Sequence, residues 1–337
     1  MWLPVVIAAV VSWLIVRAVE RHAVPLALID RPNDRSSHLH PRPRGGGIGV
    51  ILGTAVGLVV ASLAGITIGV EQGTVLGAAA LVAGVGLWDD VATLPAGPRL
   101  VAHTLAAGLV VSVCGGFAAL PLPPPLDLPV GVFGGVLAVV WVVGATNFFN
   151  FMDGADGLAA GQAAITLSAL AFVLWPSSSA VVPVIAAAAV CAFLLRNWSP
   201  ARIFLGDVGS GWIGFVLAAL PLAAPGAGRE PLVLMVATSL ALFLVDPTIT
   251  LMGRFLRGVS ITASHREHAY QRLFRPGTSH AGPVTLLLLA GAAVTLPAVL
   301  AFDQPRGVWA SVAWAACVCA GEWVAGRRAT SFGGNVS

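Results

Sequence analysis

The feature that most constrains this chain is a succession of apolar runs, each near the length of a membrane-crossing helix and separated by short breaks that gather the charge. Hydropathy places eleven of them, near 2–19, 46–64, 73–88, 99–116, 130–147, 157–175, 179–195, 209–224, 231–251, 281–301 and 307–325. A helix needs about 20 apolar residues to cross the hydrocarbon core. Open sheet edges are excluded there because lipid cannot satisfy backbone hydrogen bonds. With 57% hydrophobic and 10% charged residues and a mean hydropathy of +0.90, the chain is not a soluble globular domain. The expectation is an all-α, polytopic integral membrane protein with about 10–11 transmembrane helices, forming one domain over residues 1–337. The first run has no Lys or Arg before it and has Arg17 and Arg21 after it, so it is expected to stay as an anchor and not to be cleaved as a signal peptide.

All 18 basic residues are arginine. With eleven spans and a periplasmic N-terminus, 16 of them fall on the cytoplasmic side, all but Arg229 and Arg306, and the C-terminus is cytoplasmic as well. The histidines His22, His38, His40, His103, His265, His268 and His280 lie on or near the same face. This topology accounts for the formal charge of +3, so membrane lipid is an expected partner and nucleic acid is not. Cys114, Cys191, Cys317 and Cys319 lack metal-ligand spacing and read as small core residues.

Five cytoplasmic segments, near 20–47, 86–99, 147–157, 196–209 and 252–280, carry the chemistry. The first joins Arg35, His38, Arg42 and Arg44 to a three-glycine run opening the second span. Arginine forks and closely approaching backbone N–H groups suit a phosphate, while a positive-inside loop with a Pro/Gly turn is the plainer alternative. The second ends a span with Asp89 and Asp90, adjacent acids that oppose the helix dipole and suit a cation site or a base. In the third, Asn147, Asn150, Asp153 and Asp156 recur every three residues and would share a helical face, unless the stretch is an Asx-rich turn broken at Gly154 and Gly157. The fourth brings Asn197, Arg202, Phe204 and Asp207 into a Gly-rich turn. There Asp207, with oxygens of the third segment, suits Mg²⁺, its alternative role being a helix cap. The longest loop holds His265, Arg266, Glu267 and His268, the two histidines three apart and able to face one anion from a helix.

These segments, in this order and between these spans, resemble the polyprenyl-phosphate N-acetylhexosamine-1-phosphate transferase family. Four signatures carry the resemblance across nearly the whole chain: HLHPRPRGGG, the Asp89-Asp90 pair, the run from Asn147 through Asn150 and Asp153 to Asp156, and the run from Asn197 to Ser210. The resemblance implies transfer of a sugar 1-phosphate from a UDP-N-acetylhexosamine to undecaprenyl phosphate, with release of UMP. It implies Mg²⁺ as cofactor, with Mn²⁺ as a substitute, held at Asp207 and Asn150. The nucleotide would lie near Asp153, Asp156, Asn197 and Phe204, with Asn147 beside it. Asp89 and Asp90 match positions that activate the lipid phosphate. Arg35, His38, Arg44, His265, Arg266 and His268 would hold phosphates and share in the transfer. Family analogy also suggests a homodimer.

The chain departs from the family's best-known members in its last loop, where consecutive histidines give way to His265-Arg266-Glu267-His268-Ala269-Tyr270-Gln271. That version looks like the transferases that start O-antigen or other surface polysaccharides, with GlcNAc or a 6-deoxy amino sugar as donor. Two other classes fit part of the pattern: a secondary transporter, and a noncatalytic membrane protein binding anionic lipid. Acids at one membrane face instead of the midplane weigh against the first. Carboxylates on an anion-binding face weigh against the second.

Overall fold

The computed structural model describes residues 2–30, 40–224, 229–260, 267–274, 279–302 and 304–331. Thirteen α-helices follow in chain order among them: α1 (Trp2–His22), α2 (Gly47–Leu63), α3 (Val70–Ala92), α4 (Ala96–Cys114), α5 (Gly134–Phe151), α6 (Leu158–Leu174), α7 (Val181–Asn197), α8 (Asp207–Ala219), α9 (Arg229–Ser239), α10 (Ala241–Leu256), α11 (Ala269–Arg272), α12 (Ala281–Leu300) and α13 (Pro305–Ser331). The described sheet is a two-residue antiparallel pair, β1 (Ile29–Asp30) with β2 (Arg42–Pro43). The chain is therefore an all-α, multi-pass membrane protein.

Every apolar run folds as helix, but the eleven are not equal spans. Among the described residues seven helices are long and apolar enough to cross a membrane, and an eighth span follows if α9 and α10 are taken together. Three apolar helices are shorter: α2, α6 and the stretch Asp207–Ala223, where α8 runs into a 3₁₀ turn. The run at 231–251 is not one straight helix, because α9 and α10 meet at a 72° bend. A break inside lipid needs its polar groups satisfied from within the protein. Gln162 of α6 donates to the Ser239 carbonyl at 2.8 Å, and the Ser239 hydroxyl bonds the hydroxyls of Thr166 and Thr295 at 2.8 Å each.

Lipid tails are as apolar as leucine, so helices in a bilayer associate by close packing and interhelical hydrogen bonds. The surroundings of α1 show both, close packing against α2 and polar contacts with α7. Gly49, Gly53 and Gly57 recur every fourth residue on one face of α2, and a Cβ on any of them would come within 2.5–2.7 Å of Val16, Ala8 or the Ala8 carbonyl on α1. Ser12 of α1 donates to the Ala189 carbonyl of α7 at 2.8 Å, and Arg196 pairs with Glu20 at 2.6 Å.

At the centre stands α8, in which every residue from Val208 to Ala219 is buried. Its shelter by neighbours explains how so short a helix persists. The N-terminus of α2 lies against it so tightly that a Cβ on Gly47 would stand 2.1 Å from the Gly209 Cα. The chain before each helix pairs backbone to backbone: Gly46 and Gly47 N–H donate to the Phe204 and Leu205 carbonyls at 2.9 Å, and Phe204 N–H donates to Pro43 at 2.8 Å. This corrects the expected role of the glycine run. Gly46 and Gly47 spend their N–H groups on the chain ahead of α8, not on a phosphate.

Gly47→Ala is therefore expected to lower stability by roughly 1–3 kcal/mol, the usual cost of overpacking. Gly84→Ala, whose added Cβ meets nothing within 4 Å, should change it little. Thermal unfolding of both variants in lipid nanodiscs checks the contrast.

Candidate active site

The acids singled out in the sequence gather where the C-terminal ends of α3 and α5 meet the N-terminus of α8. The first amides of any helix lack intrahelical partners, and the dipole there favours negative charge. Asp90, 1% exposed, meets that need from another helix: its Oδ1 accepts the Asp207 N–H and its Oδ2 the Val208 N–H, each at 3.0 Å. Gly206, at φ +77°, makes room for it, since a Cβ there would stand 2.6 Å from Asp90 Oδ2. Arg44 closes the arrangement by donating to the Asp90 carbonyl, with its Nε 3.8 Å from Asp90 Oδ1. The adjacent acids thus have different surroundings, and Asp90 acts as the cap of α8.

Asp89 turns to α4. Its Oδ1 accepts the Leu94 N–H and its Oδ2 lies 2.5 Å from Arg99, whose other terminal nitrogen is 3.7 Å from Asp207 Oδ1. Arg99 therefore bridges two carboxylates. Asn150 donates to Asp207 Oδ1 at 2.7 Å and accepts from the Ser210 hydroxyl at 3.2 Å. The Asp207 side chain is 27% exposed, the Asp90 side chain 1%. Asp153 lies just beyond α5; burial first, and then the charges of Asp207 and Asp90, push its carboxyl well above the ordinary range. The run from Asn147 to Asp156 is accordingly not one helical face. The helix stops at Phe151, and Asp153 and Asp156 sit in the turn to α6.

Further out, side chains brace the loops. Asp156 accepts the Ala201 N–H at 3.0 Å and lies 3.6 Å from His280 Nδ1. Asn197, 3% exposed, accepts from the Gly157 N–H and donates to the Ile203 carbonyl, both at 3.0 Å. Its amide is thus occupied in joining α7 to the two turns beside it. Asn147 donates to Val143 at 2.7 Å and sits 3.2 Å from His103 Nδ1 on α4. Phe204 is half-buried, its backbone held between Pro43 and Gly46. His268 is buried, 3.4 Å from Asp246 on α10. Glu267 pairs with Arg254 and Arg257. Arg35, His38, His265 and Arg266 lie outside the described residues.

Three residues here had no role in the sequence reading. Arg99 is a cation in the first turn of a helix, against the dipole, and that misfit was its signal. Asp246 is a lone acid inside an apolar run. Tyr270, fully buried, is the only tyrosine of the chain. Among the described residues no three His, Cys, Asp or Glu side chains converge as a metal cage. Asp207 and Asn150 lie side by side, with the Asn150 amide nitrogen turned to the carboxylate.

For Asp156, burial raises the carboxyl, but His280, the Ala201 N–H and Ser199 outweigh it and hold it below the ordinary range. A depressed folded value adds stability above the unfolded pKa, near pH 4, and loses it as pH falls through the folded one. The unfolding midpoint of wild-type protein should thus exceed that of Asp156→Asn most clearly near neutral pH, and the gap should close below about pH 4.

The chain is similar to known proteins over most of its length. The profile of glycosyl transferase family 4 matches residues 73–224, the stretch from α3 through α8 that holds Asp89, Asp90, Asn150, Asp153 and Asp207. Decaprenyl-phosphate N-acetylglucosaminephosphotransferases of Mycobacterium tuberculosis and Mycobacterium leprae are each 30% identical to the chain, over 93% and 90% of it and 85% and 84% of their own lengths. The undecaprenyl-phosphate alpha-N-acetylglucosaminyl 1-phosphate transferase of Yersinia pestis is 26% identical over 82% of the chain and 78% of its own length. The chain belongs to the polyprenyl-phosphate N-acetylhexosamine-1-phosphate transferase family.

Proposed function

We propose that the protein transfers a sugar 1-phosphate from a UDP-N-acetylhexosamine to undecaprenyl phosphate. The net reaction forms a P–O bond between the lipid phosphate and the β-phosphorus and breaks the bridge between the α- and β-phosphates. UMP leaves, and a lipid-linked diphosphate sugar remains. The observation that carries this reading is the convergence of Asp89 and Asp207 with Asn150 and Arg99 at one end of a membrane bundle. The relatives' names support the reaction and make UDP-GlcNAc the first donor to try, while the last loop favours including 6-deoxy amino sugars.

Because Asp90 caps α8, Asp89, which faces Arg99, would be the acid that keeps the lipid phosphate ionised. Asp207 and Asn150 fit a hard cation, which typically takes one or two carboxylates plus substrate phosphates. Asn150 now offers Nδ2 to Asp207, so its joining the ligand set requires the amide to turn over. Bound Mg²⁺, or Mn²⁺ in its place, supplies positive charge to the diphosphate. Arg99, between Asp89 and Asp207, would serve as counter-ion to developing phosphate charge, and Asp153 would face the donor. On the family resemblance, Arg44, His268 and the residues Arg35, His38, His265 and Arg266 would contact the phosphates. The arginine distribution supports an inner-membrane protein whose reacting end faces the cytoplasm. The product would start an O-antigen or other envelope glycan, and the enzyme would work as a homodimer.

The test is UMP release by purified protein given undecaprenyl phosphate and a panel of UDP-amino sugars, with and without Mg²⁺. Lipid- and metal-dependent UMP is expected, and Asp207→Asn should lower kcat about a hundredfold or more. Near-normal turnover by that variant would sink the assignment. Silence of folded wild-type protein across the panel would turn attention to transport.

A further inference from the structure

Asp246 is a carboxylate within an apolar helix, next to Pro247 and 4% exposed. An acid at such a place is costly unless it is paired. Here it meets four polar groups. Its Oδ1 accepts the Ala269 N–H at 2.9 Å and the Thr250 hydroxyl at 3.0 Å, and its Oδ2 accepts the Tyr270 N–H at 3.0 Å. His268 Nδ1 is 3.4 Å from Oδ1. One carboxylate on α10 thus fixes three consecutive residues of the last loop, 268 to 270.

What those residues touch gives the contact its consequence. The Tyr270 hydroxyl donates to the Phe151 carbonyl at 3.1 Å, and a Cβ on Gly154 would stand 2.2 Å from the same oxygen. Phe151 and Gly154 bracket Asp153. The His268 ring lies 6.0 Å from the Tyr270 ring and 6.3 Å from the Phe151 ring. A continuous path of hydrogen bonds therefore runs from Asp246 through the Tyr270 backbone and hydroxyl to the turn between α5 and α6. If packing alone were required at 246, an apolar residue would meet it without the cost of a buried charge.

We propose that Asp246 is a positioning residue for the transfer reaction: it docks the His268–Tyr270 segment on α10, and through Tyr270 it sets where Asp153 and His268 stand relative to Asp207 and Asn150. This rests on the reading of the Asp207 end as the reacting centre. Asp246 touches no reacting atom. Its effect is on geometry, where misplacement of about 1 Å can cost a hundredfold in rate.

The test uses full-length protein in nanodiscs, as wild type, Asp246→Asn, Tyr270→Phe and the double variant. Asn keeps the size but has one acceptor oxygen for two amides, and Phe removes only the hydroxyl. Each single change is expected to lower kcat about tenfold, with KM for the sugar nucleotide changed less than about threefold, as loss of alignment predicts. The double variant should fall no further than Asp246→Asn, because both changes cut one path. Amide exchange across 268–272 should speed up in Asp246→Asn. Multiplying losses, unchanged exchange in Asp246→Asn, or wild-type kcat in Tyr270→Phe would each overturn the proposal, the last holding even if Asp246→Asn fails to fold. Absence of UMP from wild-type protein would refute the transferase reading instead, and the exchange measurement would still decide the docking.

Discussion

The rest of this structure depends on the capture of the α8 N-terminus by Asp90. A helix buried on all sides, with its first amides inside the protein, needs an acceptor from elsewhere, and α3 supplies it at two 3.0 Å bonds. That contact fixes the end of α3 against the start of α8. Asp89, the residue before the clamping acid, and Asp207, whose own N–H is clamped, are thereby brought close enough to share Arg99. The site's arrangement follows from a structural hydrogen bond made before any substrate is present.

The same device recurs where loops must be held in a protein with little water inside. Asp156 accepts a backbone amide of the turn after α7, Asp246 accepts two from the last loop, and Glu230 takes the Ala118 N–H at 2.7 Å. Hydrophobic burial is weak as a discriminator among elements that lipid would solvate equally well. A carboxylate with several amide donors discriminates strongly, because leaving either side unpaired is costly. Acids make up a small part of this chain, yet five of them, Asp89, Asp90, Asp156, Glu230 and Asp246, accept a backbone amide.

Helices and their approximate ends were legible in the sequence because hydropathy records the solvent of each residue. The bend between α9 and α10 was not, since the polar residues that stabilise it, Gln162, Ser239 and Thr295, come from three separate runs. Asn150 and Asp207 could be paired from their motifs, and the structure brings them together. The different surroundings of Asp89 and Asp90 were hidden, because adjacent letters do not say which carboxylate faces a neighbouring helix N-terminus. The glycine run at the start of α2 read as a phosphate site, while the N–H groups of Gly46 and Gly47 in fact pair with the chain preceding α8. Local pattern describes what a backbone can accept; only the fold says which partner arrives.

The shortness of α8 also bears on how the protein is made. At 1.5 Å per residue its 13 residues extend about 20 Å, against a hydrocarbon core of about 30 Å. Such a segment is poorly suited to stand alone in the bilayer while later helices are being synthesised. Its stable place exists once α2, α3 and α5, all earlier in the chain, have assembled into a socket with Asp90 at its mouth. Biogenesis and competence are therefore linked: a chain inserted only as far as α7 has the socket but lacks Asp207, and the site is completed by the helix that depends most on the others.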